Sequence, residues 1–307
     1  MSNALFRRSW KVTVDTLDVS GLDIEFRILS TIKPEPNKCV LTVWNLTDEH
    51  RGELLKRNDP TKKGPGIPCR IEAGYIDNTS ILFDGDLREV SSKRDGADWK
   101  TTISGDDGGR LYREGNISTQ FAAGASIGGI IKQCAEAMGV GMGNVSDFTA
   151  SAEIAGIGST LPHTMTLHGN AAKELTRVLS SVGLVWSIQH GALQVQSKGK
   201  PLDLGAILLT PDTGLLDSPE AAIDATIGLG NPQQFAAGAK QKTTHPPKPK
   251  DPGIVKVKSL LIPGMAPGRK IDLRSAHFRG GYMLTECEYI GQSWANDWHV
   301  NAVARVY

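Results

Sequence analysis

The sequence predicts an α+β protein that is mainly β, with two β-barrel or β-sandwich domains on either side of a small α+β insert. Apolar and polar residues alternate through short segments of the first and last thirds of the chain, which is typical of half-buried strands. Two stretches in the middle third instead repeat apolar residues at helical spacing. We therefore assign residues 1–112 to the first β domain, 113–200 to the insert and 201–307 to the second β domain.

The first β domain opens with a predicted strand over residues 11–19. A second strand follows over residues 22–28, where every other residue is apolar, so one face of the strand is buried and the other is wet. Residues 33–37, with the sequence KPEPN, end this strand because two prolines fix the backbone φ angle and remove two hydrogen-bond donors.

A third strand is predicted over residues 39–46, and it leads directly into a helix. Asp48 and Glu49 lie in the first turn of this helix and Lys56 and Arg57 in its last turn, which is the charge order that the helix dipole favours. The domain is completed by three more alternating segments at residues 66–75, 81–93 and 97–106.

The insert is predicted to hold two helices and a hairpin. Ser126 can cap the first helix, whose buried face would carry Ile127, Ile130, Ile131, Cys134 and Met138, and Gly139 can end it. The second helix starts at Asn170 and ends at Gly183, and strands at residues 184–188 and 193–197 then form the hairpin. Residues 141–160 are weakly patterned, and we expect a loop there.

The second β domain returns to short strands, predicted at residues 206–210, 254–260, 269–275, 281–292 and 297–307. One segment, residues 228–253, is rich in lysine and proline, and we expect a mobile, extended surface loop. Two alternatives remain open for it: a partner-binding arm, or a peptide ligand presented through Pro249 and Pro252.

The bulk composition excludes several classes of protein. The 34 Lys and Arg residues nearly balance the 33 Asp and Glu residues, which argues against tight binding to a phosphate backbone. The apolar runs are too short for a membrane helix, and we expect neither stable membrane insertion nor a signal peptide. The four cysteines form no CxxC pair, so we expect buried free thiols and no zinc site of the usual spacing.

The side chains that carry out chemistry form no catalytic pattern in the sequence. Asp84 and Asp86, and likewise Asp106 and Asp107, adjoin glycines and are best explained as turn residues. The seven histidines do not cluster, and His190 falls in the predicted hairpin turn. The glycine-rich segments at residues 124–129 and 139–143 lack the context of a nucleotide-binding loop. We predict no catalytic, cofactor-binding or metal-binding residues and no cofactor.

The six tryptophans are mostly in predicted strands, where packing in a core or an interface explains them. Trp294 and Trp298, near the last hairpin, could instead form an exposed platform.

Several segments together resemble the baseplate hub proteins of contractile-tailed bacteriophages and related injection systems. The resemblance begins with the KPEPN loop, the strand end TVWNL and the helix that follows. It continues through FAAGASIGGIIKQCAEAMGV at residues 121–140, GLVWSIQHGALQVQ at 183–196, LLTPDTGLLDSPE at 208–220 and the closing strands, and it leaves the Lys/Pro-rich segment unmatched.

The resemblance implies a structural, non-enzymatic protein of the virion tail baseplate, assembled in the host cytoplasm. It implies that the two β domains are tube-like and that three subunits form a homotrimeric ring. That ring would adapt the six-fold tail tube to the three-fold spike and enclose the channel for DNA ejection. The implied partners are the spike protein, the tail tube or its initiator, baseplate wedge proteins and the tape-measure protein, with DNA present only in transit.

Three other functions remain open from the sequence. A tail-associated peptidoglycan-cleaving enzyme would need a pair of carboxylates or a Cys-His pair in a cleft, and no segment clearly offers one. A receptor- or carbohydrate-binding β module would use Trp294 and Trp298. A plain tube protein is disfavoured by the helical insert.

Overall fold

The computed structural model describes residues 7–57, 66–145, 160–221 and 253–307. The strands are β1 Arg8–Val14, β2 Leu17–Asp18, β3 Ile24–Thr31, β4 Lys38–Trp44, β5 Ile67–Tyr75, β6 Asn78–Asp95, β7 Asp98–Asp106, β8 Asn116–Phe121, β9 Met165–Asn170, β10 Leu184–Gln189, β11 Ala192–Ser197, β12 Ile207–Leu209, β13 Glu220–Ala221, β14 Ile254–Leu260, β15 Lys270–Arg274, β16 Arg279–Gln292 and β17 Trp298–Arg305. The helices are α1 Asp48–Arg57, α2 Gly109–Glu114, α3 Ile127–Met138 and α4 Ala171–Ser181. The prediction of an α+β, mainly β protein is confirmed.

One 13-stranded sheet contains strands from both ends of the chain. Its order is β13-β14-β17-β16-β3-β4-β7-β6-β5-β1-β2, with β15 paired to β16 and β12 paired in parallel to β15. The link between the two β units is the antiparallel pair β3–β16, in which Ile28 lies opposite Tyr289. The predicted division into domains at residues 112 and 200 stays a prediction, and the two β units share this sheet.

The two β units also share one hydrophobic core, which we call the main core. Its members include Phe26 and Leu41 from the first unit and Leu284 and Val300 from the second, all of them fully buried. The inward face of each strand supplies every second residue, so the alternation seen in the sequence points apolar side chains into this core.

The far end of the sheet folds back onto the β16–β17 hairpin. The Arg8 guanidinium at the start of β1 donates to the carbonyl oxygens of Gln292 and Ala295 in that hairpin. Trp298 lies between Trp10 and Phe26, with ring centroids 5.8 and 5.6 Å away, and its indole N–H donates to the Gly74 carbonyl at 3.0 Å. The hairpin therefore closes the first β unit.

The opening strands are present, but their bounds differ from the prediction. The strand predicted over residues 11–19 is split into β1 and β2 because Asp15 adopts a φ of 56° and turns the chain. Strand β4 ends at Trp44, where Asn45 has a φ of 55°. The Asn45 side chain accepts the Trp99 backbone N–H at 3.0 Å and donates to Asp98 at 3.0 Å, so it ties this strand end to β7.

The predicted helices and hairpin of the insert are present. Ser126 caps α3 by accepting the Gly129 backbone N–H, and Gly139 ends the helix with a φ of 64°, a conformation that glycine adopts readily. Asn170 caps α4 in the same way by accepting the Lys173 backbone N–H. Strands β10 and β11 form the hairpin.

Two elements of the insert were not predicted: helix α2 and the two-stranded ribbon β8–β9. The helices, the ribbon and the hairpin enclose a second hydrophobic cluster, the insert core, whose fully buried members include Ile130, Leu167, Leu175 and Ile188. Nearly all of the predicted Lys/Pro-rich loop at residues 228–253, and most of the predicted loop at 141–160, lie outside the described residues.

Candidate functional site

A buried polar cluster joins the first β unit to the insert, and we call it the joint. Its centre is Asn37, the last residue of the KPEPN loop, which is only 3% exposed. The Asn37 side-chain amide donates to Asp107, to the Ile188 carbonyl and to Gln189 at 2.8, 2.8 and 3.1 Å. Its oxygen accepts the Thr31 backbone N–H at 2.9 Å, so a single side chain contacts three separate segments.

Asp107 is the charged member of the joint. Its carboxylate accepts the Asn37 backbone N–H at 2.7 Å and the His190 backbone N–H at 3.1 Å, in addition to the Asn37 amide. Burial raises the pKa of Asp107 to about 7, and these N–H donors work in the opposite direction by stabilising the ionised form.

Gln189 completes the joint from the hairpin side. Its amide donates to the Thr31 carbonyl at 2.9 Å and to the Ser187 hydroxyl at 3.3 Å. Leaving any of these buried polar groups without a partner would cost free energy, so the hydrogen bonds of the joint favour a single arrangement of its segments. The joint therefore fixes how the β10–β11 hairpin sits on the sheet.

The sheet has a second face, pointing away from the main core, which we call the polar face. Across it, side chains of paired strands lie next to one another in rows. One such row runs through Lys258, Asn301 and Glu288 on β14, β17 and β16, and a neighbouring row contains Arg27 on β3. Further along, β4 and β7 contribute Lys38, Val40, Thr42, Thr102 and Ser104.

Two buried carboxylates lie on the polar face, and both have cationic partners. Glu288 is 3% exposed, forms a salt bridge with Arg27 and accepts the Asn301 amide at 3.0 Å. Glu286 is 4% exposed and lies 3.4 Å from the Lys33 ammonium of the KPEPN loop. In these pairs the two carboxylates are neutralised by their cationic partners, which suits a structural role better than proton transfer.

Of the two aspartate pairs that were predicted to lie in turns, Asp106 and Asp107 do lie where a strand ends, and Asp84 and Asp86 do not. Asp84 and Asp86 are inside β6, and Gly85 between them is a close-approach position, because a Cβ there would lie 2.6 Å from the Asp106 carbonyl oxygen. Asp106 ends β7 and pairs with Arg88. The turn interpretation was wrong for Asp84 and Asp86 and missed the burial of Asp107.

Sequence reasoning missed the joint because its members are far apart in the chain. Nothing local marks Asn37, Asp107 and Gln189 as neighbours; a signal existed only in the unusual KPEPN and Asp-Asp-Gly-Gly segments. His190 does lie in the hairpin turn, where it has a φ of 54°. Its contribution to the joint is a backbone N–H, so no pattern of histidines could have shown it.

The predicted Trp294–Trp298 platform is wrong for Trp298, which is 2% exposed in the closure of the first β unit. Trp294 is 50% exposed and packs edge-on against Trp44, with ring centroids 4.4 Å apart.

All four cysteines are buried free thiols, as predicted, and burial raises their pKa values. Within the described ranges, no group of three or more His, Cys, Asp or Glu side chains could hold a metal ion. None of the helices described is long and apolar enough to cross a membrane. The absence of catalytic, cofactor and metal residues remains a prediction.

Comparison with known proteins gives one family match. The model of the family described as baseplate hub gp41 matches residues 10–224, which is more than half of the chain. No curated protein matches at a significant level.

Solved structures share the fold at low sequence identity. The 43 kDa tail protein of prophage MuSo2 from Shewanella oneidensis is 9% identical, with a TM-score of 0.60 over 97% of this chain and 98% of that one. A tail protein from Neisseria meningitidis MC58 is 11% identical, with a TM-score of 0.59 over 98% and 97%.

A third similar structure comes from a secretion machine. It is an E. coli component of the type VI secretion system, described as structurally similar to the T4 tail proteins gp27 and gp5. It is 10% identical, with a TM-score of 0.55 over 98% of this chain and 77% of that one. At these identities the likenesses show a shared fold.

Proposed function

This chain belongs to the baseplate hub gp41 family, and on that premise we propose that it forms a trimeric ring joining a six-fold tail tube to a three-fold spike. The protein has a structural role in the virion tail baseplate. The ring, its symmetry and its neighbours are the proposal.

The observation that carries the proposal is the single sheet built from two β units, joined through the β3–β16 pair. Three copies of a chain with two such units would present six β units around an axis. A ring of that kind offers six-fold contacts on one side and three-fold contacts on the other, which resolves a mismatch that a simple closed interface would not.

We further propose that the polar face encloses the channel through which DNA is ejected. The buried carboxylates of this face are paired with cations, Glu288 with Arg27 and Glu286 with Lys33. A wall of paired charges and hydroxyl groups would hold phosphates only weakly, because tight binding needs unpaired Lys and Arg. DNA would therefore pass without being retained.

The proposed partners are the spike protein, the tail tube or its initiator, wedge proteins and the tape-measure protein, with assembly in the host cytoplasm. The spike assignment is supported by likeness of fold to PdpA–VgrG complexes from Francisella, one of which has a TM-score of 0.53 over 99% of this chain and 59% of that one. We propose no catalytic activity, and no observation favours the peptidoglycan-cleaving or receptor-binding alternatives over the hub.

Light scattering of the protein, alone and mixed with the spike protein from the same phage, tests the proposal. We expect a particle of three times the 32.9 kDa subunit mass, or a complex with three subunits of each protein. A monomer in both samples would contradict the ring. A cell-wall zymogram run in parallel tests the enzyme alternative, and a cleared band would contradict the non-enzymatic assignment.

A further inference from the structure

Two tryptophans and two lysines form a single row at one end of the polar face, and we call this row the Trp-Lys strip. Trp44 on β4 lies opposite Lys100 on β7, and Lys100 lies opposite Lys93 on β6. Trp294 extends the row by packing edge-on against Trp44 at 4.4 Å. The Lys100 ammonium lies 5.3 Å from the centre of the Trp44 ring, within the range of a cation–π contact.

The strip is held rigidly. Trp294 is part of the β16–β17 turn, which is fixed by hydrogen bonds from Arg8 to the carbonyl oxygens on both sides of it. The three other members are on paired strands of the main sheet. With Trp294 half exposed, a binding partner would meet a pre-ordered aromatic surface and would lose little conformational entropy in ordering it.

The strip also carries uncompensated positive charge. Lys93 and Lys100 lie directly opposite each other, and like charges in such a cross-strand pair destabilise a sheet. Among the salt bridges of the described residues, none involves either ammonium group, whereas elsewhere on the polar face Arg27 and Lys33 have carboxylate partners. An anionic partner would remove this repulsion.

The surroundings limit the shape of that partner. Glu25 lies in the next row of the same face, opposite Thr42, and Asp23 lies beside the Trp294 turn, 3.2 Å from the Ser293 hydroxyl. A wide polyanion such as duplex DNA would bring its phosphates against these carboxylates. A narrow segment could follow the row alone, with an apolar side chain on Trp294 and carboxylates on the lysines.

We propose that the Trp-Lys strip is a docking site for an acidic, extended segment of a partner protein in the baseplate. The inference names the chemistry of one partner of the hub, and in that sense it rests on the proposed function. Complementary charge would mainly speed and orient association, and the exposed tryptophan would supply the apolar contact.

Fluorescence anisotropy at low salt tests the site with two labelled probes, poly-L-glutamate and a short DNA duplex. The test variant is Lys93→Glu/Lys100→Glu, and the matched control is Lys132→Glu/Lys198→Glu, which makes the same charge change at exposed lysines of the insert. We expect the test variant to bind poly-L-glutamate about tenfold more weakly than the control. The variant Trp294→Ala should also weaken binding, without loss of the fold.

Three results would overturn the proposal. The test and control variants could bind poly-L-glutamate equally, or the duplex could bind more tightly than poly-L-glutamate and lose that binding in the test variant. The third result is that Trp294→Ala no longer self-associates. The first would show that binding does not use the strip, the second would assign it to nucleic acid, and the third to a contact between copies of this chain. The mass of the unaltered protein by light scattering is read separately, so failure of the strip and failure of the ring are distinguishable.

Discussion

Asp107 is a buried carboxylate that accepts hydrogen bonds from N–H groups of Asn37 and His190. Replacing it with asparagine removes one acceptor oxygen and turns a new N–H₂ group toward those donors. We expect Asp107→Asn to lower the free energy of unfolding at pH 7 by about 1–3 kcal/mol, the usual cost of an unsatisfied buried group. Urea denaturation measures this loss of stability, and Asp203→Asn, at an exposed loop position, is the control.

The same substitution tests the titration of Asp107. The pKa of Asp107 is about 7 in the folded protein, against an ordinary value of 3.8. Between about pH 4 and pH 7 the carboxyl is therefore protonated in the folded state and ionised in the unfolded state. The titration of Asp107 therefore increases the free energy of unfolding as the pH falls from about 7 to about 4. The Asp107→Asn variant cannot titrate at this position and lacks that increase. The difference in free energy of unfolding between the unaltered protein and the variant should widen from pH 8 to pH 5. A constant or narrowing gap would mean that the N–H donors keep the carboxylate ionised.

Asn45 occupies a left-handed conformation that most side chains disfavour, and it also bridges to β7. Asn45→Ala removes the side-chain hydrogen bonds and places at this positive φ angle a residue that disfavours it. It should destabilise the protein by about 1–2 kcal/mol. Asn45→Gly keeps the tolerance and loses only the bonds, so it should cost less. Urea denaturation of the two variants side by side gives the order, and an Ala variant as stable as the Gly variant would show that the φ angle does not matter.

Among the elements, those with local signals could be predicted and those formed by distant pairing could not. Helix α3 was predicted with its ends because Ser126 and Gly139 mark them within the segment itself. The ribbon β8–β9 was missed because its strands are separated by α3 and by the residues after it, and each is too short and polar to stand out alone. The break between β1 and β2 was missed because an aspartate at positive φ leaves no pattern in the sequence.

The β16–β17 hairpin closes the first β unit through Trp298, which gives a test at the level of the element. Trp298→Ala should lower the free energy of unfolding by about 3–5 kcal/mol, since it removes a large buried ring from between Trp10 and Phe26. Trp298→Phe keeps an aromatic ring but leaves the Gly74 carbonyl without its donor, at a cost of about 1–3 kcal/mol.

Trp294→Ala, four residues earlier in the same hairpin, is the matched control because that ring is half exposed. It should change the free energy of unfolding by no more than about 1 kcal/mol. Thermal or urea denaturation separates the three variants. If Trp294→Ala cost as much as Trp298→Ala, closure of the unit would depend on the turn and not on the buried ring.

At the scale of the whole molecule, the sequence predicted two β units and an insert but not how the units join. The strand patterns at residues 22–28 and 281–292 each show a buried face, and neither shows that Ile28 lies opposite Tyr289. Pairing between strands so far apart depends on the assembled core, which no local pattern encodes. The sharing of one core by the two units is therefore a property that only the structure reveals.

Because the two β units share one core, a destabilising substitution in one unit should also destabilise the other. Leu284 is fully buried on β16, and Leu284→Ala should cost about 2–5 kcal/mol. Because β16 pairs with β3, we expect amide hydrogen exchange to speed up in β3 and β4 of the first unit as well as in β17. Leu175→Ala, an equally buried change in the insert core, should instead speed exchange chiefly in α4 and the β10–β11 hairpin. Exchange that rises only within residues 253–307 after Leu284→Ala would mean that the two β units unfold independently, as separate domains would.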